Sequence, residues 1–332
     1  MRVLVGECGA RGTGAGPGGG TGFVGGAVTQ LLRSRGHEVT HLSRRPGPGR
    51  ISWDELARCG LPPCEAVLNV AGENVLNPFR RWDDSFRREV VASRVETTKA
   101  LAKAIAEADR PPRAWVVVTG VGGKVVPRWR GACGAEGYLG GTSLLAGYYR
   151  PSPTAKYTEE SPGGDFDFFS RLVTAWEAAA KIPGDRTRQV VVRSGVVLGR
   201  AGGLLSQLLW PFWLGLGGPV GTGLQPFPWI HARDAAGLLC HALETEGVHG
   251  VLNGVSPASP ATCNADFARA LGVALGRPAW LPLPAWTVRG VLGPERAVLV
   301  LEGQRVEPRR TLESGYRFQF PELPAALRDA LS

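Results

Sequence analysis

The stretch 1–36, "MRVLVGECGARGTGAGPGGGTGFVGGAVTQLLRSRG", decides the fold. "MRVLV" is a short apolar run suited to a buried strand. "FVGGAVTQLLRSRG" spaces its apolar residues at a helical period, with Gly36 as a C-cap. A glycine turn between a strand and a helix brings the helix's unsatisfied N–H groups and its dipole to a phosphate. Two glycine sets compete for that role, because Gly6, Gly9 and Gly12 have the same spacing as Gly19, Gly22 and Gly25. Only the second set runs into a helix: Gly19 and Gly20 turn the chain, Gly22 allows close backbone approach, and Gly25 lets helix and strand pack. Gly12 leads only into more glycine and a proline.

Downstream, apolar runs and helical patterns alternate. "HEVTHLSR", "EAVLNVAG", "AWVVVTG" and "RQVVVRSGVVLG" suit strands. "RRWDDSFRREVVASRVETTKALAKAIAEA" suits one long amphipathic helix and "DFFSRLVTAWEAAAK" another. Such alternation predicts an α/β protein with a doubly wound parallel sheet, whose ligands sit at the carboxyl ends of the strands. Beyond residue 200 the rhythm loosens into Gly- and Pro-rich loops and short helices. This divides the chain into a nucleotide-binding domain, 1–200, and a smaller substrate-side lobe, 201–332, packed on the same sheet.

The end of the second strand suggests which dinucleotide binds. An acid there holds the ribose hydroxyls of NAD. This chain has "HLSRRPG" instead, where Ser43 suits hydrogen bonding to a 2′-phosphate and Arg44 suits a charged clamp on it. The residues therefore point to NADP, against the alternative of a basic surface loop.

Composition narrows the classes. The net charge of +9 comes from arginines scattered among acids, without a nucleic-acid recognition motif, so solvated faces and an anionic cofactor account for it and no nucleic-acid partner is expected. The longest apolar run, "LLSQLLWPFWLGLGG", is broken by Pro211 and glycines and falls short of a membrane span, so no membrane partner is expected either. Cys8, Cys59, Cys64, Cys133, Cys240 and Cys263 include no C-x-x-C pair and no neighbouring His cluster, which predicts reduced thiols and no metal site. With no secretory signal before the first strand, the expected compartment is the cytoplasm, with an uncleaved organelle address, such as a mitochondrial one, as the alternative. An oligomer is compatible with all of this.

Several ordered motifs resemble one family. "GGTGFVG", "SRRPG", "NVAGENV", "RRWDDSFRREVVASRVETT" and "RSGVVLG" are similar to the extended short-chain dehydrogenase/reductases, and within them to the atypical epimerase-like branch designated 39U. "PFWLGLGGPVGTGLQPFPWIHARDAAG" and "LVLEGQRVEPRRTLESGYRF" resemble the same branch. The resemblance implies a Rossmann-type domain binding NADP through the glycine turn (Gly19, Gly20, Thr21, Gly22, Phe23, Val24 and Gly25) and through Ser43 and Arg44. It implies further contacts from Val70 and Ala71, from Glu89 and Arg94 on the long helix, and from Val197. A surface ion pair along one helix is the competing account of Glu89 and Arg94.

Hydride-transferring members of this superfamily use a tyrosine with a lysine four residues later. None of Tyr138, Tyr148, Tyr149, Tyr157 and Tyr316 has one, and matching the helix around Glu177 puts Phe169 and Val173 in the two slots. Thr119 with Tyr148 or Tyr149 forms the substitute set, and His231 or Asp234 a second. An NADP-dependent oxidoreductase or epimerase acting on a small molecule ranks first. A catalytically silent NADP-binding sensor or scaffold comes close behind, and nucleic-acid binding is a distant third.

Residues 7–18 and 122–147 break the rhythm immediately after strands, in glycine-, alanine-, arginine- and cysteine-rich composition. They read either as inserted lids over the cofactor or as translated GC-rich non-coding sequence. Removing both is expected to strengthen NADP binding, and equal dissociation constants for the full and shortened chains in a fluorescence titration would contradict it.

Overall fold

The computed structural model describes residues 1–7, 22–44, 47–73, 75, 80–121, 148–152, 154–200, 202–258 and 261–332. Gly19, Gly20, Thr21 and nearly all of the two interrupting segments lie outside the described residues. The first half contains β1 (Arg2–Gly6), α1 (Phe23–Ser34), β2 (Glu38–Ser43), β3 (Arg50–Ser52), α2 (Trp53–Cys59) and β4 (Ala66–Asn69). Next come α3 (Asp84–Val91), a π-helical turn (Ala92–Glu96), α4 (Thr97–Ala106), β5 (Ala114–Gly120), β6 (Lys156–Tyr157) and α5 (Phe168–Ala179). The second half contains β7 (Arg188–Ser194), β8 (Val196–Gly199), α6 (Gly203–Trp213), β9 (Trp229–His231), α7 (Ala232–Glu244) and β10 (Gly250–Gly254). It closes with α8 (Asn264–Leu275), α9 (Ala285–Leu301), β11 (Arg305–Val306), α10 (Arg309–Glu313) and α11 (Leu323–Leu331).

Seven strands form one parallel sheet in the order β10-β7-β5-β4-β1-β2-β3. The strand order reverses at β1, which lies between β2 and β4, and a doubly wound sheet opens its ligand crevice at such a switch point. β5 is buried along its whole length, as a central parallel strand covered on both faces must be. Helices α1 and α7 pack together, as do α4 and α5. A second apolar core, including Leu205, Leu208, Phe267, Leu271 and Leu327, joins α6, α8 and α11 into the C-terminal lobe. The edge strand β10 belongs to the sheet although it lies beyond residue 200.

Two elements differ from their sequence patterns. "RQVVVRSGVVLG" is two strands, because the chain leaves the sheet at Gly195. The Gly195 N–H donates to the Gly254 carbonyl at 2.9 Å, and the next N–H, of Val196, donates to Pro228 at 2.9 Å. β8 then pairs with β9 in a separate two-stranded sheet. The long helix starts at Asp84, capped by the Asp83 carboxylate on the Phe86 N–H, and a π-turn interrupts it.

A Cβ on Gly195 would lie 2.8 Å from the Pro228 carbonyl oxygen, which is fixed in the backbone. Gly195→Ala is expected to cost about 1–3 kcal/mol in a denaturant titration. An unchanged midpoint would mean that the strand crossover yields easily.

Candidate functional site

The carboxyl edge of the sheet assembles around Gly6. It pairs with Leu42 on one side and Asn69 on the other, so Ser43–Arg44 and Val70–Ala71 flank it. A Cβ on Gly6 would press on Leu101 at 3.0 Å and Asn69 Oδ1 at 3.2 Å, so a larger residue would push these side chains aside. Ser43 is buried at the end of β2 and Arg44 is exposed just beyond it. The α1 N-cap is Gly22, in extended backbone, and among the described residues no N-cap side chain bonds to the helix. Phe23 packs its ring against Gly199, Gly202 and Gly203, which ties the start of α1 to the end of β8, the strand that carries Val197.

A network of side chains fixes the β4 edge. The buried Asn69 carboxamide accepts from the Ala71 N–H at 3.0 Å and donates to Thr98 Oγ1 at 2.8 Å. Trp176 Nε1 donates to the same hydroxyl at 2.7 Å. Arg94, fully buried, donates from Nη2 to the Glu73 carbonyl at 2.9 Å and packs its guanidinium where a Gly72 Cβ would lie. It comes from the π-turn, whose extra residue aims it inward, and π-turns of this kind often mark functional sites. Glu89 does not pair with Arg94. It accepts from Arg80 Nη2 at 2.8 Å, so the two residues do not form the surface pair that their spacing on one helix allowed.

The catalytic candidates converge on a second buried network. Thr119, at the end of β5, donates to Glu177 Oε1 at 3.2 Å. Glu177 is clamped by Arg193 through two bonds of 2.8 Å. Arg193 donates from Nη1 to the Tyr149 hydroxyl at 3.0 Å, and that oxygen lies 2.9 Å from both Asn253 Oδ1 and the Thr158 carbonyl. Burial would lower the Arg193 pKa, but the hydrogen bonds and charge of Glu177 outweigh it and hold the value above the ordinary range. Burial raises the Tyr149 pKa, with Arg193 and Asn253 opposing. Tyr148 is half-buried, lays its ring 3.2 Å from the Arg193 guanidinium carbon, and makes no side-chain hydrogen bond to another described residue. Phe169 and Val173 are both buried in the second core.

His231 and Asp234 hold the lobe together. Asp234, fully buried, accepts from the N–H groups of Gln319 and Phe320 at 2.7 and 2.9 Å, and the Tyr316 hydroxyl sits beside it. His231 caps α7 and lies 3.3 Å from Asp329 on α11. Among the described residues no group of three or more His, Cys, Asp or Glu is placed to hold a metal. Burial pushes the thiols of Cys64 and Cys240 up to about 11 and about 12.

The uncapped α1 terminus and the Ser43–Arg44 pair fit an anionic dinucleotide. Glu7 opposes it. Its buried carboxyl group fills the space a Cβ on Gly25 would take and lies 3.6 Å from His41 Nδ1, so an acidic side chain stands at the helix end an anion would use. Glu7, Asn69, Thr98, Trp176, Glu177 and Arg193 fall outside the sequence-based set. Of these, Glu7 carries a visible signal, as an acid directly after the first strand.

A seven-stranded parallel sheet whose strand order reverses at β1 defines a Rossmann-type fold. A family model described as the NAD dependent epimerase/dehydratase family matches residues 18–253, and a domain of unknown function (DUF1731) matches 283–330. This chain belongs to the NAD dependent epimerase/dehydratase family, within the atypical short-chain dehydrogenase/reductase branch. It is 61% identical over 332 residues to the epimerase family protein SDR39U1 of Bos taurus, covering 100% of both. It is 32% identical to a chloroplastic homologue from Arabidopsis thaliana, covering 93% of this chain and 84% of that one. The human epimerase family protein SDR39U1 (isoform2), crystallised with NADPH, superposes with a TM-score of 0.86 at 58% identity, covering 99% of each chain.

Burial lowers the pKa of both His231 and His241 from 6.5, while nearby carboxylates oppose it. The unfolded chain therefore binds more protons below the ordinary value, so stability is complete above it and is lost as pH falls through the depressed folded values. Melting temperature is expected to fall as pH drops below about 6.5, less steeply in His231→Asn, which keeps a capping side chain. Identical slopes would remove His231 from this linkage.

Proposed function

We propose that this chain binds NADP across the carboxyl edge of its sheet and acts as an oxidoreductase or epimerase on a small molecule. The observation that carries the reading is the uncapped N-terminus of α1 beside β2, with Ser43 and Arg44 where an acid would select NAD. The NADPH bound to the human relative at 58% identity supports it. In this reading the glycine turn holds the pyrophosphate, Ser43 and Arg44 the 2′-phosphate, and Val70, Ala71 and Val197 line the cofactor. Arg94 acts by pinning the Gly72–Glu73 loop, and Glu89 lies at the rim with Arg80. When bound there, the cofactor would supply hydride transfer at its nicotinamide ring.

Proton exchange with the substrate falls to Tyr148. A general acid or base needs a hydroxyl that reaches the substrate. Those of Thr119 and Tyr149 are already engaged within the protein, so these residues position Tyr148 by fixing Glu177 and Arg193. The Arg193 guanidinium over its ring holds Tyr148 in place.

The same engagement favours a second reading, a silent NADP-binding protein, because Phe169 and Val173 bury apolar side chains in the two dyad slots. Oxidation of NADPH against a panel of small carbonyl compounds and sugar nucleotides separates the two. Turnover is expected, with Tyr148→Phe lowering kcat by roughly 100-fold while NADPH still binds. Tight binding without turnover across the panel would carry the silent reading instead.

A further inference from the structure

The C-terminal lobe presents an aromatic face that the cofactor site does not use. On α6, Trp210 is 69% and Trp213 54% exposed, with rings 6.3 Å apart on one side of the helix. The chain after α6 lies against the segment after α8: the Leu281 N–H donates to Gly217 at 3.1 Å and that of Leu283 to Pro219 at 2.8 Å. This brings Trp280, 72% exposed, and Arg277, whose guanidinium lies over the Trp213 ring at 5.3 Å, beside the end of α6. The first turns of α9 come next, with exposed Trp286 and Arg289 opposite buried Val288 and Leu292. Scattered apolar residues on a surface are ordinary, but four exposed tryptophans on segments that share one apolar core mark an interaction site.

Charge identifies the partner. Residues 200–233 and 267–294, which build this face, contain no Asp or Glu. The flanking acids are already engaged: Glu295 accepts from Arg87 and Trp82 at 2.7 Å each, and Asp266 accepts from the Cys263 N–H and from Arg269. A second copy docking through the same face would bury Arg277 and Arg289 of both chains with no acid from these segments to pair them, which is costly. Tryptophan with arginine, free of acids, suits the headgroup region of a bilayer, where indole rings sit at the interface and cations meet anionic lipid. We propose that this face is a peripheral docking surface for membranes carrying anionic lipids. No helix among the described residues is long and apolar enough to cross a membrane, so the contact is interfacial.

The full chain would be sedimented with vesicles of phosphatidylcholine alone and with vesicles carrying about one third phosphatidylserine. Partition on to the anionic vesicles is expected, and high salt should weaken it. Arg277→Glu with Arg289→Glu, and separately Trp280→Ser with Trp286→Ser, are each expected to lower it by roughly tenfold or more while melting temperature holds. Failure of the unaltered chain to sediment with anionic vesicles at low salt would overturn the proposal. So would a dimer mass at sedimentation equilibrium that the tryptophan variant reduces to a monomer, which would assign the face to a second copy.

Discussion

The carboxyl edge of this sheet depends on one largely buried ion pair. Arg193 projects from β7 and Glu177 from α5, and neither charge tolerates burial without the other. Because the pair is bidentate, it fixes both distance and orientation. Through it α5 is held to the sheet, Thr119 is turned toward the carboxylate, Tyr149 is anchored and Tyr148 gains a cation under its ring. The residues nearest the proposed reaction are thus organised from below.

Much of the edge was legible in the sequence because backbone demands leave a trace. A strand, a glycine turn and an amphipathic helix announce a switch-point crevice, and "HLSRRPG" stands on the strand that borders it. The buried networks left a weaker trace. Glu177 and Arg193 lie 16 residues apart on different elements, and no period connects them. Helix α2 is a different case. Ser52 and Glu55 form a capping box, a pattern present in the letters "SWDE", but seven residues are too few for helical period to stand out. The break at Gly195 was hidden because apolar residues resume directly after it, at Val196–Leu198, while the pairing partner switches.

The aromatic face shows a limit of another kind. An apolar run interrupted by proline and glycine fails the test for a membrane span, and that test does not ask whether the run lies flat. Trp210 and Trp213 share a helix with buried Leu204, Leu205 and Leu208, so one sequence window serves both the core and the surface. Helix α6 also begins against Phe23, beside the proposed phosphate turn, so one packed element links the cofactor end of the lobe to the aromatic end.

The π-turn at Ala92–Glu96 also sets the angular phase of everything after it. Each residue of an α-helix advances the azimuth by about 100°. Shortening this stretch by a single residue would leave α3 where it is and rotate α4 by that amount, carrying Thr98, Leu101 and Ile105 off the core. The chain therefore cannot relax this turn into regular helix by local adjustment. The widened turn that aims one arginine inward is locked in place by the packing of the ten residues after it.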